Sequence, residues 1–143
     1  MSQKMFVVLV RHADPAAGGN DPGLSPAGVH RAGVLARMLA GAGITAIFTS
    51  ELRRTKDTSK PLATLLSITP VVIANDFATA ANQIKAAGKR VLVVGHSNTV
   101  PEIIKALGGP TNVVINANEF DRLFVLQVPA HRAESLLSMR YPG

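Results

Sequence analysis

The chain has 143 residues, of which 47% are hydrophobic and 17% charged, so it can bury a core and does not belong to the disordered class. Its formal net charge of +6 comes from dispersed basic residues and only 4% of its residues are aromatic, which argues against a nucleic-acid-binding surface. Without cysteine it has no disulfide or thiolate chemistry, and no apolar segment approaches the ~20 residues that a membrane span needs.

The N-terminal segment does not have the pattern of a secretion signal. The apolar run from Met5 to Val10 meets Arg11 too early for the apolar region of a signal peptide, and no small-residue cleavage site follows it. We therefore expect one domain over residues 1–143, in the cytoplasm, with neither nucleic acid nor a membrane as partner. The sequence leaves the oligomeric state open.

The first half of the chain alternates between strand and helix patterns. The predicted elements are, in order, a strand over 5–10, a helix over 26–40, a strand over 44–48 and a helix that follows Ser50. Ser25 is the predicted N-cap of the first helix, with Pro26 at its first position, and Ser50 is the predicted N-cap of the second. Glycine and proline residues make the segment between the first strand and the first helix a loop.

The second half continues this alternation and then breaks it. The predicted elements are a strand over 71–74, a helix over 79–87, a strand over 91–94, a helix over 101–107, and two final strands over 123–128 and 135–141. A short helix over 132–139 competes with the last strand. The pattern predicts an α/β fold: a three-layer sandwich with a mostly parallel central sheet, helices on both faces and a C-terminal antiparallel hairpin.

Two of the predicted strands end at a histidine. His12 follows the first apolar run and His96 follows the run over 91–94. Because parallel strands end at the same edge of a sheet, and ligands bind outside their carboxyl ends, we expect the two imidazoles to lie close together. Arg11 precedes the first of them, so the predicted site is cationic and suits a phosphoryl group.

These residues belong to motifs that follow one another in a known order. Arg11-His12-Ala13 resembles the Arg-His-Gly signature of the histidine phosphatase (phosphoglycerate-mutase-like) superfamily, and the segment over 24–28 is similar to its Leu-Thr-x-x-Gly helix start. The segment over 49–58 resembles its Ser-x-Leu-x-Arg-x-x-x-Thr element, and Gly95-His96 is similar to its second histidine. Each motif alone is weak, but four in order, from about Met5 to Ile104, are specific.

The resemblance implies roles for individual side chains. His12 would be the nucleophile that becomes phosphohistidine, Arg11 and Arg54 would clamp the phosphoryl oxygens, and His96 would stabilise the charge of the transition state. The backbone N–H groups of Ser97 and Asn98, at the entry to the next helix, could add donors. No metal ligands and no cofactor are expected.

The proton donor is less well defined by the sequence. Larger relatives carry a glutamate between the arginine-bearing helix and the second histidine, but from Thr58 to His96 this chain has only Asp76 as a carboxylate. Acid-phosphatase relatives have an aspartate directly after that histidine, where this chain has Ser97. The remaining candidates are Asp14, two residues past the nucleophile, and Asp76, of which Asp14 has the better position.

The sequence therefore favours a small metal-independent phosphatase. No segment is long enough for the helical cap of the larger relatives, so an open site is expected, and the size resembles that of the short phosphohistidine phosphatases. The expected partner is a phosphorylated small molecule or a phosphoprotein.

The alternative is a non-catalytic scaffold that binds a phosphorylated ligand or partner, an interpretation that the missing glutamate supports. His30 and His131 are interpreted as exposed side chains without a functional role, and the segment over 119–122 as structural.

Overall fold

The computed structural model describes residues 4–143. The strands of this part of the chain are β1 (Met5–Arg11), β2 (Ala46–Thr49), β3 (Val71–Val72), β4 (Arg90–Gly95), β5 (Arg122–Val128) and β6 (Leu136–Arg140). The helices are α1 (Pro26–Leu39), α2 (Arg53–Leu66), α3 (Phe77–Ala86) and α4 (Thr99–Ala106). No helix within residues 4–143 combines the length and the hydropathy needed to cross a bilayer.

The strands form one sheet in the order β3-β2-β4-β1-β5-β6. The first four strands in this order are parallel to one another, whereas β5 is antiparallel to β1 and β6 is antiparallel to β5. The predicted α/β architecture, including the C-terminal antiparallel pair, is thus confirmed. Because β1 and β4 are central, each is buried on both faces, which explains their nearly continuous apolar sequences.

Helices cover both faces of the sheet. Along β1 the side chains alternate, with Val7 and Leu9 packed in the core beneath α3 and α4, and Val8 and Val10 packed in the core beneath α1 and α2. Both cores form around the same strand, so burial fixes its register on two sides. The carboxyl end of β1 is therefore firmly placed.

Several element ends differ from the predictions. The predicted capping of α1 by Ser25 is confirmed, since its hydroxyl accepts a hydrogen bond from the N–H of Gly28. The predicted capping of α2 by Ser50 is wrong: Leu52 is the N-cap residue and makes no side-chain cap, and a carboxylate oxygen of Asp21, in the loop before α1, accepts from the N–H of Arg53 at 2.9 Å. A cap from a remote loop leaves no local sequence signal.

Three further differences concern short elements. Helix α3 begins two residues early, because Asp76 caps it by accepting from the N–H of Thr79. The competing helix over 132–139 is reduced to a single 3-10 turn, Ala133–Ser135, which leads directly into β6. β3 is shorter than predicted and has only two residues.

The close approach of α1 to the loop that follows β1 makes Gly28 necessary. A Cβ atom at Gly28 would overlap the carbonyl oxygen of Asp14, whereas one at Gly33, in the same helix, would meet no atom nearer than 3.7 Å. We predict that Gly28→Ala lowers the free energy of unfolding by about 1–3 kcal/mol through overpacking. The matched variant Gly33→Ala should raise it by roughly 0.5–1 kcal/mol through helix propensity.

Urea denaturation of both variants checks this prediction. Equal effects of the two substitutions would show that the backbone of Asp14 can move away from α1 without cost.

Candidate active site

The hydrogen bonds of His12 fix which ring nitrogen carries its proton. His12 follows the last residue of β1 directly, and its backbone N–H donates to the carbonyl of Gly95 at 2.8 Å, which extends the pairing of β1 with β4. The ring nitrogen Nδ1 lies 2.8 Å from the carbonyl oxygen of Ala13. Since a carbonyl can only accept, Nδ1 is the protonated nitrogen and Nε2 has a free lone pair.

The surroundings of His12 keep its ring neutral. The side chain is 4% exposed, and burial lowers its pKa to about 4, against the opposing effect of the hydrogen bond to Ala13. The neighbouring charges of His96, Arg11 and Arg54 lower it further. A buried neutral imidazole with an unprotonated Nε2 is the form of histidine that can attack an electrophile.

Helix α2 carries the guanidinium that faces this lone pair. Arg54 lies in the first turn of α2, and its Nε donates to Nε2 of His12 at 3.3 Å. Thr58, one turn further on, is fully buried and ties the helix to the nucleophile loop. Its hydroxyl oxygen accepts from the N–H of Ala13 at 2.8 Å and donates to the carbonyl of Arg54 at 2.7 Å. The spacing of four residues places both side chains on one helix face.

His96 reaches the same edge of the sheet from β4. Its ring centroid lies 5.3 Å from that of His12, at an interplanar angle of 62°. Burial, followed by the charges of Arg54 and Arg11, lowers the pKa of His96. The hydroxyl of Ser50, at the end of β2, lies 2.9 Å from Nε2 of His96 and orients the ring. Three adjacent parallel strands thus bring their carboxyl ends to this site.

The start of α4 adjoins His96. The backbone N–H of His96 donates to the hydroxyl of Thr99 at 2.9 Å, which closes the turn that contains Ser97 and Asn98. Asn98 is the N-cap residue and makes no side-chain cap, so the backbone N–H groups of this turn lie at the positive end of α4. The structure places both predicted donors beside the site.

Arg11 is held by a segment that the sequence did not link to the site. Its Nη1 donates to three carbonyl oxygens, those of Asn116, Ala117 and Glu119, at 3.3, 2.9 and 2.8 Å. Its guanidinium carbon lies 4.0 Å above the ring centroid of Phe120. Arg11 therefore anchors the segment before β5 as well as charging the site.

Phe120 lies in the segment over 119–122, which the sequence analysis interprets as structural, but its ring contacts the site. Its ring centroid lies 5.9 Å from that of His12, so it forms part of the apolar surroundings that desolvate the imidazole. A lone aromatic residue outside the motifs, more than 100 positions from His12, gave no signal of this contact.

The two candidate proton donors are both engaged elsewhere. Asp14 accepts from Nε of Arg31 at 2.7 Å, and although burial opposes it, this hydrogen bond and the charge of Arg31 lower its pKa. Asp76 caps α3 through Thr79, and the hydrogen bonds of that cap lower its pKa as well. Both carboxyl groups are therefore held in the ionised form.

The assembled site is strongly suited to an anion. Two guanidinium groups, two neutral imidazoles and the start of α4 lie around one edge of the sheet, and the carboxylate of Asp14 is neutralised by Arg31. Within residues 4–143, no three histidine or carboxylate side chains are grouped so that they could hold a metal ion. A tetrahedral oxyanion can accept hydrogen bonds from such donors while Nε2 of His12 faces its central atom.

Comparisons with known proteins agree with this geometry. The family model "Histidine phosphatase superfamily (branch 1)" matches residues 7–82, more than half of the chain, and the chain therefore belongs to this superfamily. No curated protein matches it in a sequence search.

Solved structures share its fold over their whole length. A candidate phosphohistidine phosphatase SixA from Nakamurella multipartitia is 20% identical, with a TM-score of 0.69 and coverage of 99% of this chain and 98% of that chain. The protein histidine phosphatase SixA complexed with tungstate is 16% identical, with a TM-score of 0.70 and coverage of 96% and 94%. A mycobacterial glucosyl-3-phosphoglycerate phosphatase is 14% identical, with a TM-score of 0.66 and coverage of 98% of both chains.

The lowered pKa of His12 predicts how its ring titrates. In the free protein, NMR should show the ring of His12 gaining its proton near pH 4 rather than near the ordinary value of 6.5. Between these values the unfolded chain binds a proton that the folded chain does not, so the free energy of unfolding decreases as the pH is lowered through this window, by up to about 3 kcal/mol.

The variant His12→Asn should lack this part of the acid destabilisation in denaturation experiments at successive pH values. A ring that titrates at its ordinary value would mean that His12 is solvated.

Proposed function

We propose that this member of the histidine phosphatase superfamily hydrolyses phosphorylated substrates through a phosphohistidine intermediate on His12, without a metal ion. The observation that carries the proposal is the hydrogen bond between Nδ1 of His12 and the carbonyl of Ala13, which leaves Nε2 unprotonated, with its lone pair directed at Arg54. In the first step Nε2 forms a bond to phosphorus as the bond to the leaving group breaks. Water then attacks the phosphohistidine and releases phosphate.

The cationic groups supply the electrostatic part of this chemistry. Arg54 contacts Nε2 of His12, so its guanidinium is in place to bind an oxygen of a phosphoryl group attached there. Arg11 adds a second positive charge, while His96 and the backbone N–H groups of Ser97 and Asn98 add further donors. The two guanidinium groups offset the negative charge of the phosphoryl group, as a divalent cation does in metal-dependent phosphatases.

The surroundings of the site favour a broad choice of substrate. From the end of α2 at Leu66 to the start of α3 at Phe77 the chain contains β3 and two short connections, which leaves no room for a helical cap. An open site accepts a phosphoprotein as well as a phosphorylated small molecule. Phosphohistidine is a favourable substrate because its leaving group departs with little assistance from an acid.

A phosphate-binding scaffold is the second candidate function. It is favoured by one observation: Asp14 and Asp76, the carboxyl groups considered as proton donors, are both held ionised by other partners. Such a protein would bind a phosphorylated ligand or partner without turnover, through the same guanidinium and imidazole groups.

A phosphatase assay separates the two functions. Wild-type protein should hydrolyse p-nitrophenyl phosphate in the presence of a chelator, and His12→Ala should abolish this because it removes the nitrogen that faces Arg54. Protein quenched during turnover should carry an acid-labile, base-stable phosphoryl group that maps to His12. Binding of tungstate or phosphate by a wild-type protein that gives no turnover would instead establish the scaffold.

Asp14 provides a second test, directed at the identity of the acid. In Asp14→Asn the amide oxygen can still accept from Arg31, so the structure should persist. If the carboxylate of Asp14 stays ionised and donates no proton, this substitution should change kcat by less than about tenfold. A general acid contributes about 10²–10⁴-fold, so a loss of that size would make Asp14 the proton donor. The measurement is kcat on phenyl phosphate, whose leaving group needs a proton more than p-nitrophenol does.

A further inference from the structure

A chain of short hydrogen bonds leads from His96 into the start of α2. The hydroxyl oxygen of Ser50 lies 2.9 Å from Nε2 of His96 and 2.9 Å from the hydroxyl oxygen of Thr55. Thr55, which is fully buried, lies 2.8 Å from the carbonyl oxygen of Leu52. Ser50 also accepts from the N–H of Leu52 at 3.2 Å, and Thr55 accepts from the N–H of Ser50 at 3.1 Å.

The number of hydroxyl protons decides which group donates in each of these hydrogen bonds. Each hydroxyl has one proton to donate, and the carbonyl of Leu52 can only accept. All three short contacts are satisfied together when Thr55 donates to Leu52, Ser50 donates to Thr55, and Nε2–H of His96 donates to Ser50. When Ser50 instead donates to His96, only the proton of Thr55 remains for two contacts, so either the Ser50–Thr55 pair at 2.9 Å or the Thr55–Leu52 pair at 2.8 Å has no proton between its oxygens.

The first arrangement determines the state of the second histidine. Nε2 of His96 carries a proton and is bound to Ser50, so Nδ1 is its unprotonated nitrogen, and no residue among 4–143 forms a hydrogen bond with it. Because Ser50 accepts from Nε2–H, this hydrogen bond persists when Nδ1 gains a proton and the ring becomes an imidazolium. A carbonyl-like acceptor of this kind stabilises an imidazolium, whereas a hydroxyl that donated to Nε2 would oppose it.

We propose that Ser50 is a positioning residue that sets the tautomer of His96 and thereby makes Nδ1 of His96 the proton carrier of the reaction. This inference rests on the proposed function. It assigns the role of proton donor to His96, since Asp14 and Asp76 are both held by other partners. It also gives a physical reason for a serine four residues before Arg54.

The proton balance of the first step closes with these groups alone. A substrate monoanion passes the proton of its phosphoryl group to Nδ1 of His96, which becomes imidazolium and binds the resulting phosphoryl oxygen. As the bond between Nε2 of His12 and phosphorus forms, the bond to the leaving oxygen breaks and that oxygen takes the proton from Nδ1. The products are phosphohistidine on His12, a neutral alcohol and a neutral His96, so no outside acid is consumed.

Nitrogen NMR on histidine-labelled protein tests the tautomer without reference to turnover. In the free wild-type protein, Nε2 of His96 should give the signal of a protonated nitrogen and Nδ1 that of an unprotonated one, and inorganic phosphate should convert both to the protonated signal. Ser50→Ala should give a mixture of tautomers, and Ser50→Thr, which keeps the hydroxyl, should restore the wild-type signals. Ser59→Ala is the matched control, because Ser59 is a buried α2 serine that donates to Lys56 and has no contact with His96.

Kinetics supply the second measurement. Because a lost proton donor matters more for a poor leaving group, Ser50→Ala should lower kcat on phenyl phosphate about tenfold more than on p-nitrophenyl phosphate. A merely structural role would lower both rates by the same factor, and Ser59→Ala should lower neither.

The outcomes distinguish this inference from the proposed function. A wild-type protein in which Nδ1 of His96 carries the proton, or a Ser50→Ala variant that keeps the wild-type tautomer, overturns the inference even when turnover is normal. The expected tautomer together with an absence of turnover supports the positioning by Ser50 and contradicts the phosphatase.

Discussion

The parallel pairing of β1 with β4 is the constraint on which the site depends. In this register Arg11 lies opposite Gly95, so the next residues of the two strands, His12 and His96, leave the sheet side by side. Burial on two faces holds β1 in place, since a slip by one residue would exchange its two apolar cores for one another. The core thus holds together the two strand ends from which the imidazoles, 5.3 Å apart, extend.

The same burial decides the charge of the site. Both imidazoles lie where desolvation and two guanidinium groups lower their pKa, so the permanent positive charges reside on Arg11 and Arg54 while the histidines remain neutral. A neutral His12 can attack, and a neutral His96 can receive a proton that a bound oxyanion brings with it. A protonated histidine would attract the anionic substrate but could not attack it. In this site the arginines attract the substrate and the neutral His12 is the nucleophile.

Sequence reasoning predicted what local patterns and periodicity determine. The apolar runs located β1 and β4 and placed their histidines on one edge, and Ser25 was correctly predicted as a cap because its partner lies three residues away. It failed where a remote segment supplies the contact. The capping of α2 by Asp21, the pairing of Asp14 with Arg31 and the docking of the segment over 116–120 on Arg11 all join residues separated by at least 17 positions, and only the folded chain brings them together.

The spacing of the segment over 50–58 has a physical explanation in these contacts. Arg54 and Thr58 lie four residues apart and share one face of the first turns of α2, whereas Ser50 lies in the connection between β2 and α2. Ser50 contacts His96, Arg54 contacts His12, and Thr58 holds the N–H of Ala13, whose carbonyl in turn fixes the proton of His12. The start of α2 and the connection that leads into it therefore set the orientation of both imidazoles. A rotation of α2 by one residue would break the contacts of Arg54 and Thr58 together, which couples the packing of α2 on the sheet to the protonation state of His12.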